Sequence, residues 1–361
     1  MHSVNELRLE GRIKTFDDAS LKKEKKTTNY IMVILVFITV AAFLISFTLG
    51  RYSISITDIL NIFISKLFGL KTTWSDTVET VIFNVRIPRI LAAMLIGAAL
   101  SLSGACYQGL FKNPMVSPDI LGASSGAGFG ACIAILMSFG LVGIQVSSFL
   151  FGLGAVALTF FISSLIGKKN NAVLVLILTG MVVSTLFSSF ISLTKYLADP
   201  NSKLPAITFW LMGGLNSTST KDVLMLLAPI TIGTIPLALL RWKINVLSFG
   251  DEEAKSLGIN TSRLRLIVII CSTLLTAASV SVCGMIGWIG LIIPHLSRML
   301  VGPNYKLLLP ASFLVGSAYL VLVDDIARSL FPLEIPLGIL TSLIGAPFFI
   351  YLLVKGKKGW I

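Results

Sequence analysis

Charge is scarce in this chain. Only 13% of its 361 residues are Asp, Glu, Lys or Arg, while 55% are hydrophobic. A soluble domain carries about 25% charge, so a water-soluble globule is excluded and the chain reads as an integral membrane protein. Histidine is scarcer still: His2 and His295 are the only two, too few to build a metal cluster. Cys106, Cys132, Cys271 and Cys283 lie in apolar stretches without metal-ligand spacing and read as small core residues. No Gly-x4-Gly-Lys-Ser/Thr run occurs, so the sequence shows no nucleotide engine of its own. Paired catalytic acids, a His-x3-His pair and a Gly-x-Ser-x-Gly elbow are also missing, which leaves an intramembrane enzyme without support. Acids at span centres, the usual requirement of an ion-coupled transporter, are lacking too: they cluster in loops and at span ends.

Long apolar runs are what the chain has in quantity. A spanning helix needs about 20 mostly apolar residues, and candidates fall at 30–49, 88–110, 118–138, 146–167, 172–194, 221–240, 264–284, 286–300, 306–328 and 335–354. Ten spans and an all-α membrane fold are expected, with a polar tail over 1–29, one transmembrane domain over 30–355 and a short tail over 356–361. The mixed region 51–85 is expected to lie outside, and 204–215 reads as a short interfacial helix. The stretch 286–300 is short for a span and carries Pro294, His295 and Arg298. The run 30–49 has no small-residue cleavage pattern after it and reads as an uncleaved first span.

The net charge is +12. The bases sit in short loops between apolar spans, which fits positive-inside topology and not nucleic-acid binding. With the N-terminus in the cytoplasm, inner segments hold 20 of the 29 Lys and Arg residues, and both termini come out cytoplasmic. Gly97 and Gly104, and the series Gly122, Gly126 and Gly130, supply the small residues that let helices approach closely where lipid gives no hydrophobic drive.

One polar island interrupts the apolar pattern on the inner side. Residues 249–262 read FGDEEAKSLGINTS and hold Asp251, Glu252 and Glu253, three of only 17 acids. Gly250, Ala254 and Gly258 recur every fourth residue, so on a continuous helix they would share a face that another surface could approach closely. Such a piece reads as a docking site for a partner.

Five stretches in order resemble one family. They are RIPRILAAMLIGAALSLSGACYQGLFKNPMVSPDILGASSGAGFGA (86–131), GDEEAKSLGIN (250–260), GMIGWIGLIIPHLSRMLVG (284–302), LLLPASFLVGSAYLVLVDDIAR (307–328) and EIPLGILTSLIGAPFFIYLL (334–353). Together they resemble the permease subunits of ABC importers for ferric siderophores, haem and cobalamin, over about 30–355. The resemblance implies a type II importer permease in a bacterial cell membrane, paired with a second copy or a close paralogue. Two copies of a cytoplasmic ATPase subunit would use the ATP, a substrate-binding protein would dock outside, and the chain would hold no cofactor. It implies ATPase coupling through Gly250, Asp251, Glu252, Glu253, Ala254, Leu257 and Gly258, aided by Asn113 and Pro114. It implies docking of the binding protein at Arg86, Arg89 and Arg328, whose planar forks suit carboxylates. Internal pairing of Arg328 with Asp324 or Asp325, one helical turn back, is the competing reading. His295 and Arg298 read as structural, Glu334 as a cap of the last span, and Ser184, Ser188 and Ser192 as lining of the path. A ferric siderophore is the expected cargo, with haem and cobalamin open.

Overall fold

The computed structural model describes residues 27–50, 54–68, 74–166, 172–330 and 332–356. The expected tails over 1–29 and 356–361 fall almost wholly outside these residues, as do Lys168 and Lys169 of the expected inner loop. All regular structure among the described residues is helical. The helices are α1 (Thr27–Ser46), α2 (Ile56–Phe68), α3 (Asp76–Leu110), α4 (Ala123–Leu136), α5 (Leu141–Ile166) and α6 (Ala172–Leu197). There follow α7 (Lys203–Met212), α8 (Thr220–Leu239), α9 (Arg241–Phe249), α10 (Asp251–Ser256) and α11 (Thr261–Cys283). The last three are α12 (Ile289–Val301), α13 (Tyr305–Ser329) and α14 (Leu337–Gly356).

Seven of these, α1, α3, α5, α6, α8, α11 and α13, are long and apolar enough to cross a membrane, and α4, α12 and α14 are shorter apolar helices. These ten correspond one for one to the ten expected stretches. The short helix expected at 204–215 is α7. Region 51–85, expected outside the apolar spans, is helical over most of its described residues. It holds α2 and the first turns of α3, which runs unbroken through a π-helical segment, Val81–Arg86, into the span. Asp76, Glu79, Asn84 and Arg86 dilute the apolar pattern there and hide the helix.

The centre of the bundle is α3, apolar on nearly every side and buried along most of its length. Small residues let its neighbours reach the backbone. A Cβ on Gly97 would stand 2.2 Å from the carbonyl oxygen of Gly316 on α13, and one on Gly104 would stand 1.8 Å from that of Gly290 on α12. Gly126 and Gly130 of α4 meet the backbone of Phe151 and Ser147 on α5 in the same way. Gly122 caps the start of α4 at φ 89°, a left-handed conformation that glycine adopts without strain. By contrast α1 lies on the outside of the bundle, with Val33, Phe37 and Leu44 exposed.

Neither α4 nor α12 crosses alone: 14 and 13 residues rise only about 20 Å against a core of about 30 Å. Both begin inside the bundle. The chain enters from one end after Leu110 and makes a 3-10 turn, Pro118–Leu121, with Pro118 against Gly290. Near it, Gly214 N–H donates to the carbonyl of Cys283 at 2.8 Å and Leu337 N–H to that of Gly213 at 2.9 Å. Irregular backbone is tolerated at this depth because protein, not lipid, surrounds it. The turn carries Asp119, which accepts from Ser124 Oγ, so an acid expected at the end of a span lies within the bundle.

Replacing Gly97 with Ala is expected to lower the midpoint of thermal unfolding in detergent, by at least the ~1–3 kcal/mol of ordinary overpacking. Gly154→Ala, where nothing stands within 4 Å of the new Cβ, leaves the midpoint unchanged or raises it.

Candidate functional site

The polar island is built by three short pieces between α8 and α11. An amphipathic helix, α9, buries Ile244, Val246 and Leu247 and exposes Arg241, Trp242 and Lys243. Gly250 then turns the chain into α10, whose first turn carries Asp251, Glu252 and Glu253. Acids there complement the positive end of the helix. The end of α10 is closed by glycine. Gly258 N–H donates to Lys255 O and Ile259 N–H to Ala254 O, both at 2.9 Å, with Gly258 at φ 75°. This paired pattern is the Schellman closure. Asn260 then caps α11, its Oδ1 accepting from Arg263 N–H at 3.0 Å.

The expected shared face of Gly250, Ala254 and Gly258 does not exist. The helix spans only Asp251–Ser256, so the two glycines are its ends and not part of its surface. Ala254 points inward, with 0% exposure, and packs in the core with Ile259. The outward surface is made by Glu252, Glu253, Lys255, Ser256, Leu257 and Gly258. Leu257 is 59% exposed and Phe249, just before the island, 74%.

Charge holds this tip in place. Arg265 of α11 donates from Nη2 to both carboxylate oxygens of Asp251 at 2.6 Å. Lys112 Nζ, on the loop after α3, stands 3.6 Å from the same carboxylate. Asp251 therefore faces into the subunit, and the loop holding Asn113 and Pro114 is drawn beside the island. Asn113 Oδ1 accepts from Met115 N–H at 2.9 Å, closing a tight turn that exposes Met115. Sequence reasoning counted Arg265 and Lys112 only as topology markers, and it passed over Phe249 and Met115. Their signal is position: a base within one turn of the span end, and large apolar residues on either side of a polar run.

At the opposite end the three expected arginines converge, but their forks are turned inward. Arg86, Arg89 and Arg328 are 3%, 7% and 6% exposed. Arg89 donates from Nε to Asp324 at 2.9 Å and forms an ion pair from Nη1 to Glu334 at 3.0 Å. Arg328 binds Asp325 at 2.5 Å and the carbonyl of Ser46 at 2.6 Å. Ser46 Oγ donates in turn to Asp325 at 2.6 Å, and Arg86 Nη1 donates to the carbonyl of Phe47. Three cations meet three carboxylates, so the cluster is neutral and internal. The internal pairing that competed with docking is present for Arg328 and extends to Arg89: buried cations need carboxylates close by, and α13 and Glu334 supply them. Glu334 pairs with Arg89 instead of capping the last span.

Toward the island end, Arg298 donates to Gln108 Oε1 at 3.1 Å, and Gln108 donates to the carbonyl of Leu291 at 3.2 Å. These bonds tie α12 to α3 and give Arg298 a structural task. Of the three expected path serines, Ser188 and Ser192 are exposed and Ser184 half-buried.

The bundle as a whole can be compared with known proteins. Residues 38–355 match the model of the FecCD transport family. The chain belongs to that family. It is 46% identical over 325 residues to the molybdate import system permease protein MolB of Haemophilus influenzae, covering 90% of this chain and 95% of the relative. A probable iron chelatin transport system permease protein of Helicobacter pylori is 40% identical over 282 residues, 78% of this chain and 85% of that one. A solved structure, an inward-facing conformation of a putative metal-chelate type ABC transporter, superposes with a TM-score of 0.81 at 44% identity, covering 91% of this chain and 99% of the other. This FecCD-family protein is thus a multi-pass ABC importer permease with type II architecture. The relatives' names differ in cargo, so family membership alone does not single out a siderophore.

The arginine cluster of the permease gives a direct test. Asp324→Asn leaves Arg89 and Arg328 short of buried countercharge, and is expected to cost about 3–5 kcal/mol, read as a lower unfolding midpoint in detergent. Glu79→Gln, at the exposed Lys66–Glu79 pair, is expected to leave the midpoint unchanged.

Proposed function

We propose that this permease forms the translocation path of an ATP-driven importer whose ATPase is a separate cytoplasmic subunit, present in two copies. The observation that carries this is the island: an exposed charged tip with Leu257 at its end, clamped to the bundle through Asp251, Arg265 and Lys112. Motion of a partner gripping Glu252, Glu253 and Leu257 passes through that clamp to α3 and α11, the buried centre of the subunit. The island end is assigned to the cytoplasm. Lys112, Arg241, Lys243, Arg263, Arg298 and Lys306 crowd there, as the positive-inside rule asks.

A substrate-binding protein is assigned to the opposite end. Its carboxylates reach Arg86, Arg89 or Arg328 only by displacing Asp324, Asp325 or Glu334. Glu334, with a side chain 30% exposed, is the least buried of these. A second copy of the chain, or a close paralogue, is assigned to α6. Thr185, Ser188, Ser189 and Ser192 form an exposed hydroxyl stripe there, which suits a twofold path better than lipid.

The cargo favoured is a metal oxyanion of the molybdate kind. The 46% identical relative supports this by name, and a path of hydroxyls leading to Lys195 suits an oxyanion chemically. A ferric chelate such as a siderophore is the second reading, supported by the 40% identical relative.

Two experiments test these assignments. Glu252→Lys with Glu253→Lys is expected to abolish ATP-dependent uptake while leaving the chain inserted; uptake at the normal rate removes the coupling assignment. A Leu257→Cys variant is expected to react with an impermeant maleimide only in inside-out vesicles, over a low background, because the four native cysteines are buried. Labelling from outside inverts the topology. For cargo, uptake of labelled molybdate that ferric siderophores do not compete supports the first reading, and the reverse pattern the second.

A further inference from the structure

A groove runs along the flank of the subunit between α5 and α11. Its inner mouth, a cavity of about 180 Å³, has Ser163, Ser164, Ser262 and Arg265 as its polar lining, set among apolar residues such as Leu110 and Phe111. It continues into a nearly wholly apolar cavity of about 400 Å³ along Leu153, Val156, Phe161, Leu266 and Ile270, sharing Phe160, Ser164 and Ile269 with the first. On α11 the lining extends from Ser262 to Thr273, and on α5 from Leu153 to Ser164. Each is twelve residues, eleven rises or about 16 Å of helix, close to half of the ~30 Å hydrocarbon core. The groove is therefore one leaflet deep.

We propose that this groove binds one anionic phospholipid of the island-side leaflet, with its phosphate on Arg265 and an acyl chain along α5 and α11. Charge supports the headgroup end. Arg265 and Lys112 share a single carboxylate, Asp251, which leaves the mouth one positive charge in excess. Arg265 Nη2 holds Asp251, while its buried Nε has no hydrogen-bond partner. A guanidinium with a free edge suits a phosphate, and a base at a span end lies where headgroups are. Depth and apolarity support the chain end. Of the groove's lining residues on α6, Leu176 lies opposite the hydroxyl stripe at 3.6 residues per turn, and Val173 lies to its side. This last point rests on the second-copy reading above; the charge and depth do not.

The test is lipid retention by the full-length chain in mild detergent, read by native mass spectrometry after exchange into phosphatidylglycerol or phosphatidylcholine. Retention of one phosphatidylglycerol per chain, at least tenfold over phosphatidylcholine, is expected. Arg265→Gln should lower phosphatidylglycerol retention at least tenfold. Ala157→Trp, which fills the groove from an exposed position without touching the Arg265–Asp251 pair, should abolish retention of both. Equal retention of the two lipids by the unaltered chain, or undiminished phosphatidylglycerol in either variant, overturns the proposal. So does a disulfide between two copies formed by Ala157→Cys in membranes, which would put a second subunit on the groove. None of these readouts depends on transport, so they can fail while the importer reading stands.

Discussion

Backbone-to-backbone contact at glycine holds this bundle together. In lipid, burying an apolar side chain gains little, because the solvent is apolar too. Close packing must come from shape, and α3 supplies it by presenting Gly97 and Gly104 to the carbonyls of Gly316 and Gly290. Those two crossings fix α13 and α12 against the central helix. With α12 fixed, its first turn can begin inside the protein, and Pro118 packs on the same Gly290. The broken ends near Gly213, Gly284 and Leu337 then share hydrogen bonds that lipid could not offer.

The two ends of the bundle use charge differently. At the far end, carboxylates and guanidiniums are buried and balanced, and they join α1, α3 and α13 with Glu334. That arrangement stiffens: removing any one charge strands another. At the island end the pairs are partly exposed and unbalanced toward the positive. Asp251 is held, while Glu252 and Glu253 are left outward. The island is thus tied by ion pairs to α11 and to the loop after α3, while the far end is locked by its own buried pairs.

The ten apolar stretches were legible because lipid demands long uniform runs, and their order carried the family. The helices within 51–85 were not legible, because Asp58, Asp76 and Glu79 interrupt the apolarity that marks a span while leaving helix formation untouched. The island was legible as a site but not in its shape. Spacing alone cannot distinguish a glycine on a helix face from one that ends the helix, and Gly258 is the second kind. The arginines were legible as a cluster. Their direction was not, because it depends on carboxylates of α13 and Glu334 more than two hundred residues away, of which only Asp324 and Asp325 announced themselves through spacing to Arg328. Asp119 fell at the end of an expected span because sequence does not reveal that the turn before α4 folds back into the bundle.

The account rests on the permease being driven from outside its own chain. Purification in mild detergent with whatever partners it retains, followed by uptake in proteoliposomes with and without ATP, tests this most directly. A stoichiometric ATPase subunit and uptake that requires ATP are predicted. A chain that purifies alone and transports its cargo without ATP would contradict the account and make it an ion-coupled carrier.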